Sequence, residues 1–268
     1  MLSLLSSHLC ARGRGLSLSA GHILRLTTVL STHCFSSGSG FYDTLMNIMA
    51  SSQAVTIAPK GNHTATVFFL HGLGDTGHGW AAGFEDIQEG YIKYSCPNAP
   101  IQPVTLNAGM RMPSWFDITS LNFQGPEDEE GLKKSSNQLK TLIAEEEKLG
   151  IPAERIVIGG FSQGGAVALY TALTMDKKIG GCIILSSWLP LHQKIKDEIK
   201  GNKSYPVFQG HGNADPVVNF NFGMMTSTEL KKIFSNYTFN TYAGMGHSSS
   251  PKEMKDVKEF LQKALPKI

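Results

Sequence analysis

Arg155-Ile156-Val157-Ile158-Gly159-Gly160-Phe161-Ser162-Gln163-Gly164-Gly165 runs from a short apolar stretch straight into a serine bracketed by glycines, and Ala166, Ala168, Leu169, Ala172 and Leu173 follow at helical spacing. A continuous apolar run of this length reads as a strand buried on both faces, as in a parallel sheet. Gly160-Phe161-Ser162-Gln163-Gly164 matches the G-x-S-x-G elbow, in which a sharp strand-to-helix turn lifts a serine hydroxyl above the sheet edge. Glycines on either side permit the strained backbone and the close approach of strand to helix. The helix start behind the serine favours developing negative charge.

Outward from the elbow, apolar runs alternate with helical patterns. Ala65–Leu70 is a second buried strand, ending at His71-Gly72. Tyr91–Cys96, Cys182–Leu185, Pro206–Phe208 and Tyr237–Tyr242 are further strands. Helices are predicted over Pro126–Leu149, with an acidic first turn suited to the helix dipole, around Glu229–Phe234, and over Pro251–Leu265. This alternation predicts a mostly parallel sheet with helices on both faces, in a single α/β domain over residues 51–268. Between Pro100 and Pro126 the pattern is irregular but rich in Leu106, Met110, Met112, Trp115, Phe116, Leu121 and Phe123. Such a segment either roofs the core or lines a groove for an alkyl chain.

The chain has 268 residues, 24 Lys+Arg against 22 Asp+Glu, and 41% hydrophobic residues. That composition suits a globular protein with a full core, and the charge balance excludes binding to nucleic acid through phosphate neutralisation. No stretch is long and apolar enough for a membrane span. Cys10, Cys34, Cys96 and Cys182 show neither CxxC nor zinc spacing, so no metal, cofactor or disulfide framework is expected. Before Asp43 there is no acidic residue, while Arg12, Arg14 and Arg25 stand among nine serines. Residues 1–50 therefore read either as a mitochondrial transit peptide or as an upstream extension bypassed by starting at Met46 or Met49.

A serine nucleophile needs a base, and the base needs an orienting acid, in the chain order Ser, acid, His. Asp215 follows a strand in His211-Gly212-Asn213-Ala214-Asp215. His247 lies in the glycine-bracketed loop before the last helix. His211 precedes the acid and breaks the order, and His192 opens a Lys-rich surface segment. Ser162, Asp215 and His247 are thus the expected catalytic residues. The oxyanion donors are expected at the backbone N–H groups of Gln163 and Leu73, the latter in His71-Gly72-Leu73-Gly74-Asp75.

His71–Trp80, Met112–Asp117, Gly159–Gly165, Ser187–Leu191 and His247–Ser249 together resemble the acyl-protein thioesterases, also called lysophospholipases I/II, from about Ala65 to the C-terminus. The resemblance implies an α/β-hydrolase that removes palmitate from protein cysteines, with weaker lysophospholipid and small-ester hydrolysis. It puts the family's triad on Ser162, Asp215 and His247, and its oxyanion donors on Leu73 and Gln163. It also makes Trp188, Leu106, Met112 and Trp115 candidates for lining an apolar acyl channel. Vertebrate members begin with an acylatable Met-Cys pair; this chain has a longer extension instead. Ser187 stands where relatives often have cysteine, and Gly246 where a bulkier residue is common.

The expected function is serine-dependent hydrolysis of long-chain acyl thioesters on proteins. Two alternatives stand beside it: a lysophospholipase or carboxylesterase with the same triad, and a catalytically silent acyl-binding fold. Expected partners are S-acylated proteins and lysophospholipids, with peripheral membrane contact but no transmembrane segment, and a monomer or weak homodimer. The expected location is cytoplasmic for a form starting at Met46 or Met49, and mitochondrial for one imported through the extension.

Overall fold

The computed structural model describes residues 54–122 and 125–268. The extension over residues 1–50 and the side chain of Phe123 lie outside the described residues. Nine strands and five main α-helices alternate along the rest: β1 (Val55–Ile57), β2 (Ala65–Leu70), α1 (Gly77–Glu85), β3 (Ile92–Cys96), β4 (Ile101–Val104), β5 (Met110–Pro113), α2 (Glu129–Lys148), β6 (Ile156–Phe161), α3 (Gln163–Thr174), β7 (Gly181–Leu185), β8 (Val207–Gly212), α4 (Phe220–Ile233), β9 (Tyr237–Tyr242) and α5 (Pro251–Ala264). Seven strands form one sheet in the order β1-β3-β2-β6-β7-β8-β9. All its pairings are parallel except β1 with β3.

The side-chain period of two along these strands divides the core into two layers. Phe68, Leu70, Ile156, Ile158, Cys182 and Ile184 pack under α2 and α3, with Leu230 of α4 on the same side. Val67, Phe69, Val157, Ile183 and Leu185 face the other way, against Phe84 of α1 and Val257 and Leu261 of α5. Burial on both faces is why the strands read as unbroken apolar runs instead of alternating ones. The fold is that of an α/β-hydrolase.

Four regions differ from the sequence reading. The irregular Pro100–Pro126 segment contains an antiparallel hairpin, with Ile101 opposite Pro113 and Pro103 opposite Arg111. Two prolines disguise it, and they are tolerated because each strand of a two-stranded ribbon has a free edge. Helix α1 is not evident from the sequence pattern: it is short, and its inward face is Ala81 and Phe84 with Trp80 partly buried beside them. Helix α4 contains Glu229–Ile233 and extends back to Phe220, capped by the Asn219 side chain; Asn221, Gly223 and the Thr-Ser-Thr run hide its first turns. Helix α2 starts at Glu129 behind Asp128, whose carboxylate accepts from the Gly131 N–H. Glu127 stays outside the helix and accepts the Leu191 N–H instead.

Candidate active site

Ser162 sits at the junction of β6 and α3 with φ +53° and ψ −120°, a left-handed conformation that a non-glycine residue holds only under constraint. The constraint is visible. Its N–H donates to Leu185 O at 2.9 Å, and its carbonyl accepts from the Ala166 N–H and, at 2.7 Å, from Ser187 Oγ. A Cβ on Gly160 would lie 2.3 Å from the Gly164 carbonyl carbon, and one on Gly164 would lie 2.3 Å from Leu70 O. No side chain fits at either place, so strand, helix start and the end of β2 meet backbone to backbone. Ser162 keeps 8% of its surface open, at the N-terminus of α3.

The loop after β2 is drawn to the same point. A Cβ on Gly72 would stand 3.4 Å from Ser162 Cβ. His71, fully buried, accepts the Ala99 N–H at Nε2 (3.0 Å), so its Nδ1–H donates to Gly72 O at 2.7 Å. Burial holds this imidazole below its usual pKa, outweighing the Gly72 hydrogen bond and the charge of Asp75, and favours the neutral ring. Trp115 donates its indole N–H to His71 O at 2.8 Å, and the Gly74 N–H donates to Pro113 O at 2.8 Å. Leu73, half-buried, follows directly in this braced loop.

Gln163 contributes more than a backbone amide. Its buried side chain accepts the Trp115 N–H at 3.0 Å and donates to Ser114 Oγ (3.0 Å) and Phe116 O (2.6 Å). The residue after the candidate nucleophile therefore staples the 114–116 segment in place. Neither this staple nor the His71 brace was legible in the sequence, since their partners lie 28 to 49 residues away.

The structure brings Asp215 and His247 together. His247 Nδ1 lies 2.8 Å from Asp215 Oδ2, and the other carboxylate oxygen accepts the Val217 and Val218 N–H groups, each at 2.9 Å. Burial of Asp215 alone would raise its pKa. Contacts with the His211 and His247 rings and the backbone N–H of Val217 outweigh that, and the carboxyl is held far below the usual range. The two loops are stitched by Ala214 N–H to Met245 O (3.1 Å) and Gly244 N–H to Asn213 Oδ1 (2.8 Å). The His247 ring rests on Phe161, the residue before Ser162, with centroids 4.6 Å apart. With Nδ1 engaged by the acid, Nε2 is the ring nitrogen left for other chemistry.

The other candidate residues separate. Trp188 is buried and edge-to-face with Phe116 at 6.4 Å, and it borders a cavity of about 600 Å3 shared with Leu189, Phe222 and Met225. Leu106 is half-buried against the core layer that holds Leu73. Met112 Sδ approaches Gly74 in the loop after β2 and contacts Asn107 Nδ2 at 3.2 Å. Trp115, 5% exposed, spends its indole N–H on His71 and sits beneath that loop as a brace. His192 is exposed. Cys96 and Cys182 are free and buried, with the Cys96 thiol pushed up to about 12 by burial. Among the described residues no cluster of His, Cys, Asp and Glu offers a metal site, and no helix is long and apolar enough to cross a membrane.

Residues 51–265 match the profile of the phospholipase/carboxylesterase family. Acyl-protein thioesterase 1 of Neurospora crassa is 43% identical over 235 residues, covering 83% of this chain and 96% of the fungal protein. Acyl-protein thioesterase 1 homolog 1 of Dictyostelium discoideum is 48% identical over 210 residues, covering 76% and 92%. The crystal structure of acyl-protein thioesterase 2 from Zea mays superposes with a TM-score of 0.73 at 33% identity, over 79% of this chain and 98% of the maize protein. With the elbow, the braced loop and the Asp–His pair at one sheet edge, the chain belongs to the phospholipase/carboxylesterase family of α/β-hydrolases.

Proposed function

We propose that this protein is an acyl-protein thioesterase that cleaves long-chain acyl thioesters from protein cysteines through an acyl-enzyme on Ser162. The observation that carries the reading is the 2.8 Å Asp215–His247 hydrogen bond, with that imidazole packed on Phe161 beside a strained Ser162. His247 takes the Ser162 proton as Oγ attacks the acyl carbonyl. As the C–S bond breaks, His247 returns that proton to the cysteine thiolate. Water activated by the same imidazole then releases the fatty acid and restores the serine. Asp215 fixes the imidazole tautomer and stabilises the imidazolium. The backbone N–H groups of Leu73 and Gln163 receive the tetrahedral oxyanion, aided by the α3 dipole. Trp188, Leu106 and Met112 line the path of the acyl chain, with Trp115 supporting it from below.

Similarity to proteins named acyl-protein thioesterases supports protein thioesters, ahead of lysophospholipids, as the substrates of this chain. The hairpin of β4 and β5 presents Ile101 and Met110 to solvent and suits peripheral contact with the membrane where such substrates sit. A form starting at Met46 or Met49 works in the cytoplasm, as a monomer or weak homodimer, and import through the extension would place it in mitochondria.

The test is labelling with a long-chain fluorophosphonate. Stoichiometric labelling of the wild type, lost in Ser162→Ala and His247→Ala, is expected; an unlabelled wild type would leave the silent acyl-binding fold as the better account. Turnover of a palmitoylated peptide against a lysophospholipid then distinguishes substrates. A tenfold preference for the lipid, about 1.4 kcal/mol in transition-state binding, would reverse the assignment.

A further inference from the structure

His211 has no place in the Ser, Asp, His order, yet it stands against the carboxylate of the proposed triad. It lies near the end of β8, fully buried, with its ring edge-on to Phe220 of α4 at 5.8 Å. Its Nε2 is 2.9 Å from Val218 O and 3.5 Å from Asp215 Oδ2. A carbonyl oxygen only accepts, so Nε2 carries the hydrogen and Nδ1 is bare. That bare nitrogen has no hydrogen-bond partner and faces the backbone of Gly223, where an added Cβ would stand 2.5 Å from it. The ring is therefore wedged in one orientation between α4 and the turn over residues 215–218.

This is the turn whose Val217 and Val218 N–H groups hold Asp215 Oδ1. His211 grips it through the Val218 carbonyl and aims the same N–H toward Oδ2, the oxygen that meets His247 Nδ1. The titratable groups at this point are Asp215 and His247, while α4 presents Phe220 and Gly223.

We propose that His211 is a positioning residue for the Asp215–His247 pair. It locks the turn that aligns the carboxylate, and its N–H dipole draws down the negative potential that His247 feels. Both effects hold the His247 imidazole in one orientation as the base. The proposal rests on the triad reading of the preceding subsection.

The test compares full-length wild type with His211→Leu, His211→Gln, Gly223→Ala and Ser162→Ala, following kcat/KM for an acyl thioester against pH. In His211→Leu, kcat falls about ten- to a hundredfold with KM little changed, as for a misaimed base. The acid limb moves up by about half a pH unit, because the carboxylate loses a donor. A glutamine places Nε2–H close to the imidazole's, so His211→Gln recovers most of both. Gly223→Ala displaces the ring while leaving it chemically intact, and moves the limb the same way. An unmoved acid limb in both His211→Leu and Gly223→Ala, or a glutamine variant as impaired as the leucine one, overturns the proposal. Should His211→Leu fail to fold, Gly223→Ala and His211→Gln carry the comparison. Activity surviving in Ser162→Ala would overturn the triad reading and this proposal with it. A dead Ser162→Ala beside an unmoved limb overturns the proposal alone.

Discussion

Glu253 offers a sharp test of the electrostatics beneath the His247 loop. It is the third residue of α5, fully buried, and neither carboxylate oxygen has a hydrogen-bond partner. Ser250 caps the helix by accepting the Glu253 N–H at 3.2 Å. The reciprocal half of a capping box is not made, because the Glu253 side chain turns inward over Gly210. Burial, with the charge of Asp256 in the same direction and the Ser249 hydroxyl opposing, pushes the carboxyl from 4.5 up to about 7. An acid raised in the folded state binds a proton that the unfolded chain has already lost. Its stability contribution is full below pH 4.5 and declines as pH rises toward 7. Worked from those two values, the cost is about 1 kcal/mol at pH 5 and about 3 kcal/mol at pH 8. Glu253→Gln keeps the shape of the neutral acid and removes the titration. Its advantage over wild type in urea unfolding should grow by about 2 kcal/mol between pH 5 and pH 8. An advantage that is the same at both pH values would show that Glu253 ionises normally in the folded protein, and the argument from burial would fail.

Other outcomes follow from the same geometry. Gln163→Ala keeps the backbone N–H but deletes three buried hydrogen bonds to residues 114–116. It should cost about 2–4 kcal/mol by urea unfolding and lower kcat, whereas unchanged stability would show that the staple is redundant. Gly164→Ala forces a methyl to within 2.3 Å of Leu70 O; it should abolish fluorophosphonate labelling, and a fully labelled variant would refute the backbone-contact account of the elbow. N-terminal sequencing of the mature protein should find a start within residues 31–40 if the extension is imported, and Met46 or Met49 if it is bypassed.

The sheet was legible because each central strand is buried on both faces and so leaves an unbroken apolar run. The elbow was legible because strand, G-x-S-x-G and helix are contiguous in the chain. Asp215 and His247 could be chosen by order and by their place at strand ends. What escaped depends on partners distant in sequence. His71 reads as part of a glycine turn until Ala99 and Trp115 close around it. Gln163 reads as a backbone donor until Ser114, Trp115 and Phe116 find its amide. The hairpin of β4 and β5 was hidden by Pro103 and Pro113, and α1 by its shortness. The resemblance makes Trp115 a candidate for lining the acyl channel, and an aromatic beside methionines looks the same in sequence whether it walls a channel or props a loop. The structure gives its indole a fixed polar duty under the loop after β2.

The Gln163 staple bears on how such an enzyme can diversify. One residue lends its main chain to the proposed oxyanion site and its side chain to the segment that follows the apolar hairpin. A change that reseats Trp115 or Phe116 to admit a longer, shorter or branched acyl group pulls on the amide next to the nucleophile. Chain-length preference and turnover are therefore mechanically coupled in this protein. New specificity should arise more readily at Trp188 or Leu106 than along residues 114–116, which the Gln163 side chain holds directly.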